Sequence, residues 1–348
     1  DKIKPSDLAT YLEDANFVLL NSEVIGAEVY KSVDGGKTWS KTHKDYLDGV
    51  YSSYGYYFGV IAVNTSNENK IYVGGVPLLK SDDAGKTFNS IGKENVHSDH
   101  QALWVNAKVE GHLLNGNDGG LNITYDDGEN WTKNNSPAVG QFYYINVDNQ
   151  KPYNIYGGLQ DNGSWYGPSS SDGGIEARDW NSVGAGDGFR VLRHPTKNII
   201  YSEMQGAENV WRYDVDNKLV KTIQPLPKKG HAKLRFNWNA PMAISNHQPD
   251  RFYMGSQFLH KSEDMGESWT IISPDLTTND KSKQEQENSG GLSMDNSGAE
   301  NHTTIFTLAE SPLDQNVIWV GTDDGNVQVT QDGGKTWTLV ANNQNPNY

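Results

Sequence analysis

Five stretches of the chain repeat one pattern: "SVDGGKTWS" from Ser32, "SDDAGKTFN" from Ser81, "TYDDGENWT" from Thr124, "SEDMGESWT" from Ser262 and "TQDGGKTWT" from Thr330. Each runs Ser or Thr, any residue, Asp, any residue, Gly, any residue, then Thr, Asn or Ser, then Trp or Phe. This is the chemistry of a turn. Glycine supplies positive φ at little steric cost. The carboxylate and the hydroxyl accept hydrogen bonds from turn N–H groups, and the aromatic ring buries a large face where the next strand begins. Asp34, Asp83, Asp126, Asp264 and Asp332 are therefore expected to be structural. Five copies of one carboxylate on five separate units cannot share an active site.

The spacing of the boxes sets the number of units. Successive starts are 49, 43, 138 and 68 residues apart, and 138 is three units of 46. Two units between Thr124 and Ser262 are thus expected to lack the box, and the last gap to hold one unit plus an insertion. A period of 43–49 is that of a four-stranded propeller blade. A second landmark, an apolar strand after a polar turn, supports the count. It occurs in "NENKIYVGG" (67–75), "KPYNIYGGL" (151–159), "TKNIIYSEM" (196–204), "QPDRFYMGS" (248–256) and "DQNVIWVGT" (314–322), and more loosely in "DANFVLLNS" (14–22) and "EGHLLNGND" (110–118).

The expected fold is all-β: a seven-bladed β-propeller of four-stranded antiparallel blades, with the boxes on the third-to-fourth-strand turns. The blades are expected near 7–48, 58–92, 100–135, 140–182, 187–224, 238–273 and 303–340. Residues 1–348 would form one propeller, with 273–304 as a loop inserted between blades 6 and 7. The 36 Gly, 18 Tyr and 10 Trp suit short aromatic strands joined by tight turns. The absence of Cys excludes disulfides and thiolate chemistry. A net charge of −15 argues against nucleic acid and anionic membrane surfaces, and no apolar run is long enough for membrane insertion.

The box resembles the Asp-box, or BNR, repeat of sialidases, xyloglucan-specific glycosidases and sortilin-type receptors. A broader resemblance rests on "GVPLLKSDDAGKTF", "NDGGLNITYDDGENW", "GQFYYINVDNQKPYNIYGGLQDNGSW", "WNAPMAISNHQPDRFYMGSQ", "SWTIISPDLTTND" and "GTDDGNVQVTQDGGKTW". Together these are similar to a family of large bacterial extracytoplasmic BNR proteins, described as sortilin-like or glycosyl hydrolase-like. The resemblance implies an extracytoplasmic location (periplasm, cell surface or secreted). It also implies that this propeller belongs to a longer chain with further domains.

Up-and-down strands put the boxes on one face of every blade, so function is expected on the opposite face. The loops there carry His97, Asp99, His100, Gln141, Tyr143, Asp187, Arg235, Trp238 and His302, with Arg190 and Trp165. Two functions are open. A binding module would offer His97, His100, Gln141, Tyr143, Arg235, Trp238 and His302 to a glycan or an extended peptide. A glycoside hydrolase would need two carboxylates flanking one bond. Asp99, Asp187 and Asp161 are the first candidates, and Asp118, Glu203 and Asp323 lie on the same face. Binding is the preferred reading. No cofactor is expected. The spacing of His97, Asp99 and His100 could seat a metal ion, but loop histidines ordinarily bond backbone.

Overall fold

The computed structural model describes residues 26–51, 57–134, 139–227, 230, 233–285 and 301–342. The strand landmark at 14–22, the opening of the first expected blade and residues 286–300 of the expected insertion lie outside the described residues. The described residues fall into two compact units, one up to Val139 and one from Gly140 onward.

In the first unit, β1 (Tyr30–Lys31) and β2 (Ser40–Lys41) form a two-stranded sheet. A four-stranded sheet follows: β3 (Val60–Val63), β4 (Ile71–Gly74), β5 (Leu78–Ser81) and β6 (Asn89–Ser90). The next is β7 (His100–Val105), β8 (Leu113–Asn117), β9 (Gly120–Thr124) and β10 (Thr132–Asn134). The second unit holds four more four-stranded sheets. They are β11 (Phe142–Val147) to β14 (Asn181–Gly184) through β12 (Asn154–Leu159) and β13 (Gly163–Pro168), and β15 (Gly188–Arg193) to β18 (Leu219–Thr222) through β16 (Ile199–Met204) and β17 (Val210–Asp214). Then come β19 (Met242–Ile244), β20 (Phe252–Gly255), β21 (Leu259–Ser262) and β22 (Thr270–Ile271), and finally β23 (Ile305–Glu310), β24 (Ile318–Thr322), β25 (Val327–Thr330) and β26 (Thr338–Ala341). Every four-stranded sheet is an antiparallel meander in chain order. The fold is the seven-bladed β-propeller, its first blade two-stranded among the described residues. No helix among the described residues is long and apolar enough to cross a membrane.

All five boxes lie between the last two strands of a blade and share one set of bonds. In the second blade Ser81 Oγ donates to Asp83 Oδ1 at 2.8 Å and accepts from Gly85 N at 2.8 Å. Asp83 Oδ1 accepts from Thr87 N at 2.9 Å, and Oδ2 from Thr87 Oγ1 at 2.7 Å. These donors hold the carboxyls of Asp34, Asp83, Asp126 and Asp332 down at about 2. The glycine two residues after each Asp has φ between 86° and 98°. A Cβ at Gly128 would stand 2.9 Å from Ile91, and one at Gly266 2.6 Å from Ile223, so the preceding blade also requires glycine there. Three of the box tryptophans then reach the preceding blade, whereas Trp39 Nε1 donates to Gly36 O of its own turn. Trp131 Nε1 donates to Ile91 O at 2.8 Å, Trp269 Nε1 to Ile223 O at 2.6 Å and Trp337 Nε1 to Ile272 O at 3.0 Å. The box is thus a turn and a blade-to-blade clamp together.

In the six four-stranded sheets the strand landmark is the second strand. Its tyrosine (Tyr72, Tyr156, Tyr201, Tyr253) is almost wholly buried, whereas Trp319 of the last blade is exposed. Three of these phenols donate to carboxylates: Tyr72 to Asp127, Tyr156 to Asp148 and Tyr253 to Glu310. Within each unit apolar clusters fill the space between successive sheets. One of them joins Tyr201, Val210 and Ile223 to Phe236, Met242 and Phe252.

Candidate functional site

Four first strands begin with a β-bulge on the side away from the boxes. The register skips one residue at Gln101 in β7, at Tyr143 in β11 and at Phe306 in β23, and in β15 it passes from Gly188 to Val191. A bulge bends the strand and re-aims its side chain. Tyr143 accordingly leaves its own sheet and stacks on Phe189 of the next blade, with ring centroids 4.3 Å apart. Its phenol is pushed up to about 12 by burial and by the charges of Asp187 and Asp161.

Asp187 is the hub of this part of the second unit. It is 8% exposed. Oδ1 accepts from the backbone N–H of Asp161 at 2.6 Å and Oδ2 from Trp238 Nε1 at 3.1 Å. Its own N–H donates to Gln205 Oε1 at 2.9 Å, and its carbonyl accepts from Gln205 N at 3.1 Å. Trp238 O accepts from Gly206 N at 2.9 Å. One aspartate therefore joins the turn after β12, the turn after β16 and the segment before β19. Asp161 holds φ 56°, a left-handed geometry that Asp tolerates better than most residues. Trp238 and Trp165 remain half-buried, with Trp165 Nε1 bonded to Asn162 O.

A second network holds Arg235. Its N–H meets Gln257 Oε1 at 2.8 Å, Nε donates to Thr303 O at 3.2 Å, and Nη2 lies 3.2 Å from Asp275 Oδ2. Nearby, Asp323 accepts from Thr304 N at 2.9 Å and Thr304 Oγ1 at 2.6 Å. His302 is half-buried, its Nδ1 enclosed without a partner. Gln141 is exposed, and its carbonyl accepts from Gln160 N at 3.0 Å.

His97, Asp99, His100 and Asp118 belong to the first unit, and the other candidates on that face to the second. His97 is exposed and lies against Gly119, where a Cβ would approach it to 2.6 Å. Asp99 has φ 63°, and burial together with the charge of Asp118 raises its pKa. The expected ligand contact by His100 needs correction. The ring is 2% exposed, Nδ1 is bonded to Asn115 Oδ1 at 2.8 Å, and burial lowers its pKa. It anchors an asparagine ladder of Asn115, Asn117 and Asn122. Among the described residues no three His, Cys, Asp or Glu side chains are grouped as metal ligands.

The second unit also contains a cavity of about 430 Å³ between its four first strands, lined by Tyr144, Asn146, Arg190, Arg193, Asn246 and Glu310 among others. Glu310 is fully engaged there by Ser245, Asn246 N and Tyr253. Arg190 is not: its guanidinium lies over the Tyr144 ring, 4.6 Å from the centroid, and one nitrogen reaches Asn239 Oδ1. No sequence motif singles out Arg193, and the inward face of β15 reveals it. Glu203 of β16 is completely buried, and neither carboxylate oxygen has a partner.

No protein-family model and no curated protein matches this sequence. Solved structures are similar to it at low identity. A GH74 enzyme from Niastella koreensis is 16% identical with a TM-score of 0.40, over 90% of this chain and 50% of that one. The extracellular domain of the putative one-component system BT4673 from B. thetaiotaomicron is 14% identical with a TM-score of 0.38, over 81% and 33%. YCF48 from Cyanidioschyzon merolae is 11% identical with a TM-score of 0.35, over 80% and 83%. The chain spans half the length of the first and a third of the second.

Proposed function

We propose that this chain is a ligand-binding propeller of the Asp-box (BNR) type, extracytoplasmic and bacterial, that presents the face opposite its boxes to a glycan or an extended peptide. Residues 1–348 would act as one propeller within a longer chain, and 273–304 as a loop beside the site. The observation that carries this reading is the use of the Asp187 carboxylate. Both of its oxygens accept hydrogen bonds from other loops, which fixes the Trp238 ring across three blades. A carboxylate committed in this way builds a rigid platform and is poorly placed as nucleophile or base. Tyr143, Trp165 and Trp238 then offer partly exposed aromatic faces, the pattern of a preformed recognition surface. A hydrolase would instead use Asp187 with Asp161, and it remains the second reading.

Screening one sample on glycan and peptide arrays, with a parallel assay for glycan hydrolysis, tests the proposal. Saturable binding without turnover is expected. Hydrolysis that disappears in Asp187→Asn would replace the binding reading with the hydrolase.

A further inference from the structure

The blades can be superposed on one another through their registers. Opposite the bulge or first-strand start, the second strand carries glycine in five blades: Gly74 faces Val60, Gly116 faces Ala102, Gly158 faces Tyr144 and Gly321 faces Thr307 in register, and Gly255 N–H donates to Pro241 O. The reason is steric. A Cβ at these glycines would meet its nearest neighbour at 2.1–3.3 Å. In the fifth blade Glu203 fills this place. The register passes from Gly188 opposite Met204 to Val191 opposite Ser202, which puts Phe189 and Arg190 opposite Glu203. So among the described second strands, the one with a carboxylate where five have glycine is also the one with a cation facing it.

The pair is not joined. Glu203 is fully buried with both oxygens unpartnered, whereas Arg190 turns to Asn239, Ala240 O and the Tyr144 ring. A buried carboxylate with no ion-pair partner is costly, so burial favours the neutral form of Glu203. Burial pushes its pKa well up, and Arg190 alone opposes the shift, through its charge and through its backbone N–H. Across the sheet from it β17 places Val210, and the segment bonded by Arg190 contributes Asn239 and Ala240, none of which titrates.

We propose that Glu203 and Arg190 form a proton-controlled latch in the cavity wall. With Glu203 protonated, Arg190 lies against Tyr144 and faces the cavity. Loss of that proton creates a buried anion beside the guanidinium. Arg190 then swings from Asn239 and Tyr144 to pair with it, and the cavity loses its cation. Glu203 is a positioning residue here, since its oxygens are closed off from the cavity. The latch is independent of which ligand the propeller takes.

The test uses an arginine-specific dicarbonyl on the whole chain, read by peptide mass spectrometry. Labelling of Arg190 is normalised to Arg178, whose side chain is 75% exposed. We expect the Arg190-to-Arg178 ratio to fall about threefold or more from about pH 5 to about pH 9, the range in which buried glutamates titrate. In Glu203→Gln the ratio should stay constant. Glu203→Gly, which restores the residue of the other blades, serves the same purpose if the amide disturbs folding. A flat ratio in the unsubstituted protein, or an equal fall in both variants, overturns the latch. No ligand enters the measurement, so its failure is separable from failure of the binding proposal.

Discussion

The box turns and the loops on the opposite face use the same residue, aspartate, in two ways. Asp83 takes its bonds from residues two to four positions away. Asp187 takes them from residues 26 and 51 positions away. The first is a local device that any blade can copy, and the chain holds five copies. The second exists once and only after three blades have come together. Repetition therefore marks structure, and the unrepeated contact marks where the molecule has been specialised.

The largest expected effect lies on the box side. Trp131 is 7% exposed and clamps its blade to Ile91 of the preceding one. Trp131→Ala should cost about 3–5 kcal/mol in denaturant unfolding, the sum of lost burial and a cavity. A cost below about 1 kcal/mol would show that the clamp is dispensable and that the boxes need another explanation.

Next comes the hub. Asp187→Ala leaves the Trp238 indole N–H and the Asp161 N–H without their acceptor. It should cost about 2–3 kcal/mol by thermal or chemical unfolding. Asp187→Asn keeps one acceptor oxygen and should cost less. Equal losses in the two variants would mean that the carboxylate charge, rather than the geometry of its acceptors, holds the loops.

Acid and base should separate the two kinds of carboxyl. Asp34, Asp83, Asp126 and Asp332 have pKa values lowered from 3.8 to about 2 by turn donors, and Asp264 is lowered in the same way. Their contribution is fully present above the unfolded value and is lost as pH falls from about 4 through about 2. Glu203 runs the other way, because its folded pKa is raised above 4.5. Its protonated form is favoured on folding, so that contribution is full below pH 4.5 and is lost as pH rises through the folded value. Melting temperatures across pH should show Glu203→Gln gaining on the unsubstituted protein as pH rises, with no gain in acid. A constant offset at every pH would mean that Glu203 does not titrate differently in the folded state.

The fold was legible because its signals are local and periodic. A Ser–Asp–Gly–Trp turn carries its own hydrogen-bond partners, and "IYVGG" or "FYMGS" announces a buried second strand wherever it occurs. The site was less legible, for a physical reason. Nothing near "GAGDGF" says that Asp187 will meet an indole 51 residues later. His100 looked available because "HSDH" reads as a polar loop, yet it opens β7 and turns inward to Asn115. The glycine that follows the second-strand aromatic by two residues, and its replacement by Glu203 in "IIYSEM", stood in the sequence throughout. Its meaning depends on register, which shows that the place is one where a Cβ ordinarily does not fit.

The central claim, that the repeated aspartates hold the fold while the face built around Asp187 receives the ligand, is tested most directly by one paired measurement. The unsubstituted protein, Trp238→Ala and Asp332→Asn are placed on the same glycan and peptide arrays, and their melting temperatures are recorded alongside. Asp332→Asn should melt at lower temperature and keep the array hits. Trp238→Ala should weaken binding to those hits by more than about 1 kcal/mol while the protein stays folded. Hits that vanish in Asp332→Asn at unchanged melting temperature, or survive undiminished in Trp238→Ala, would contradict the account.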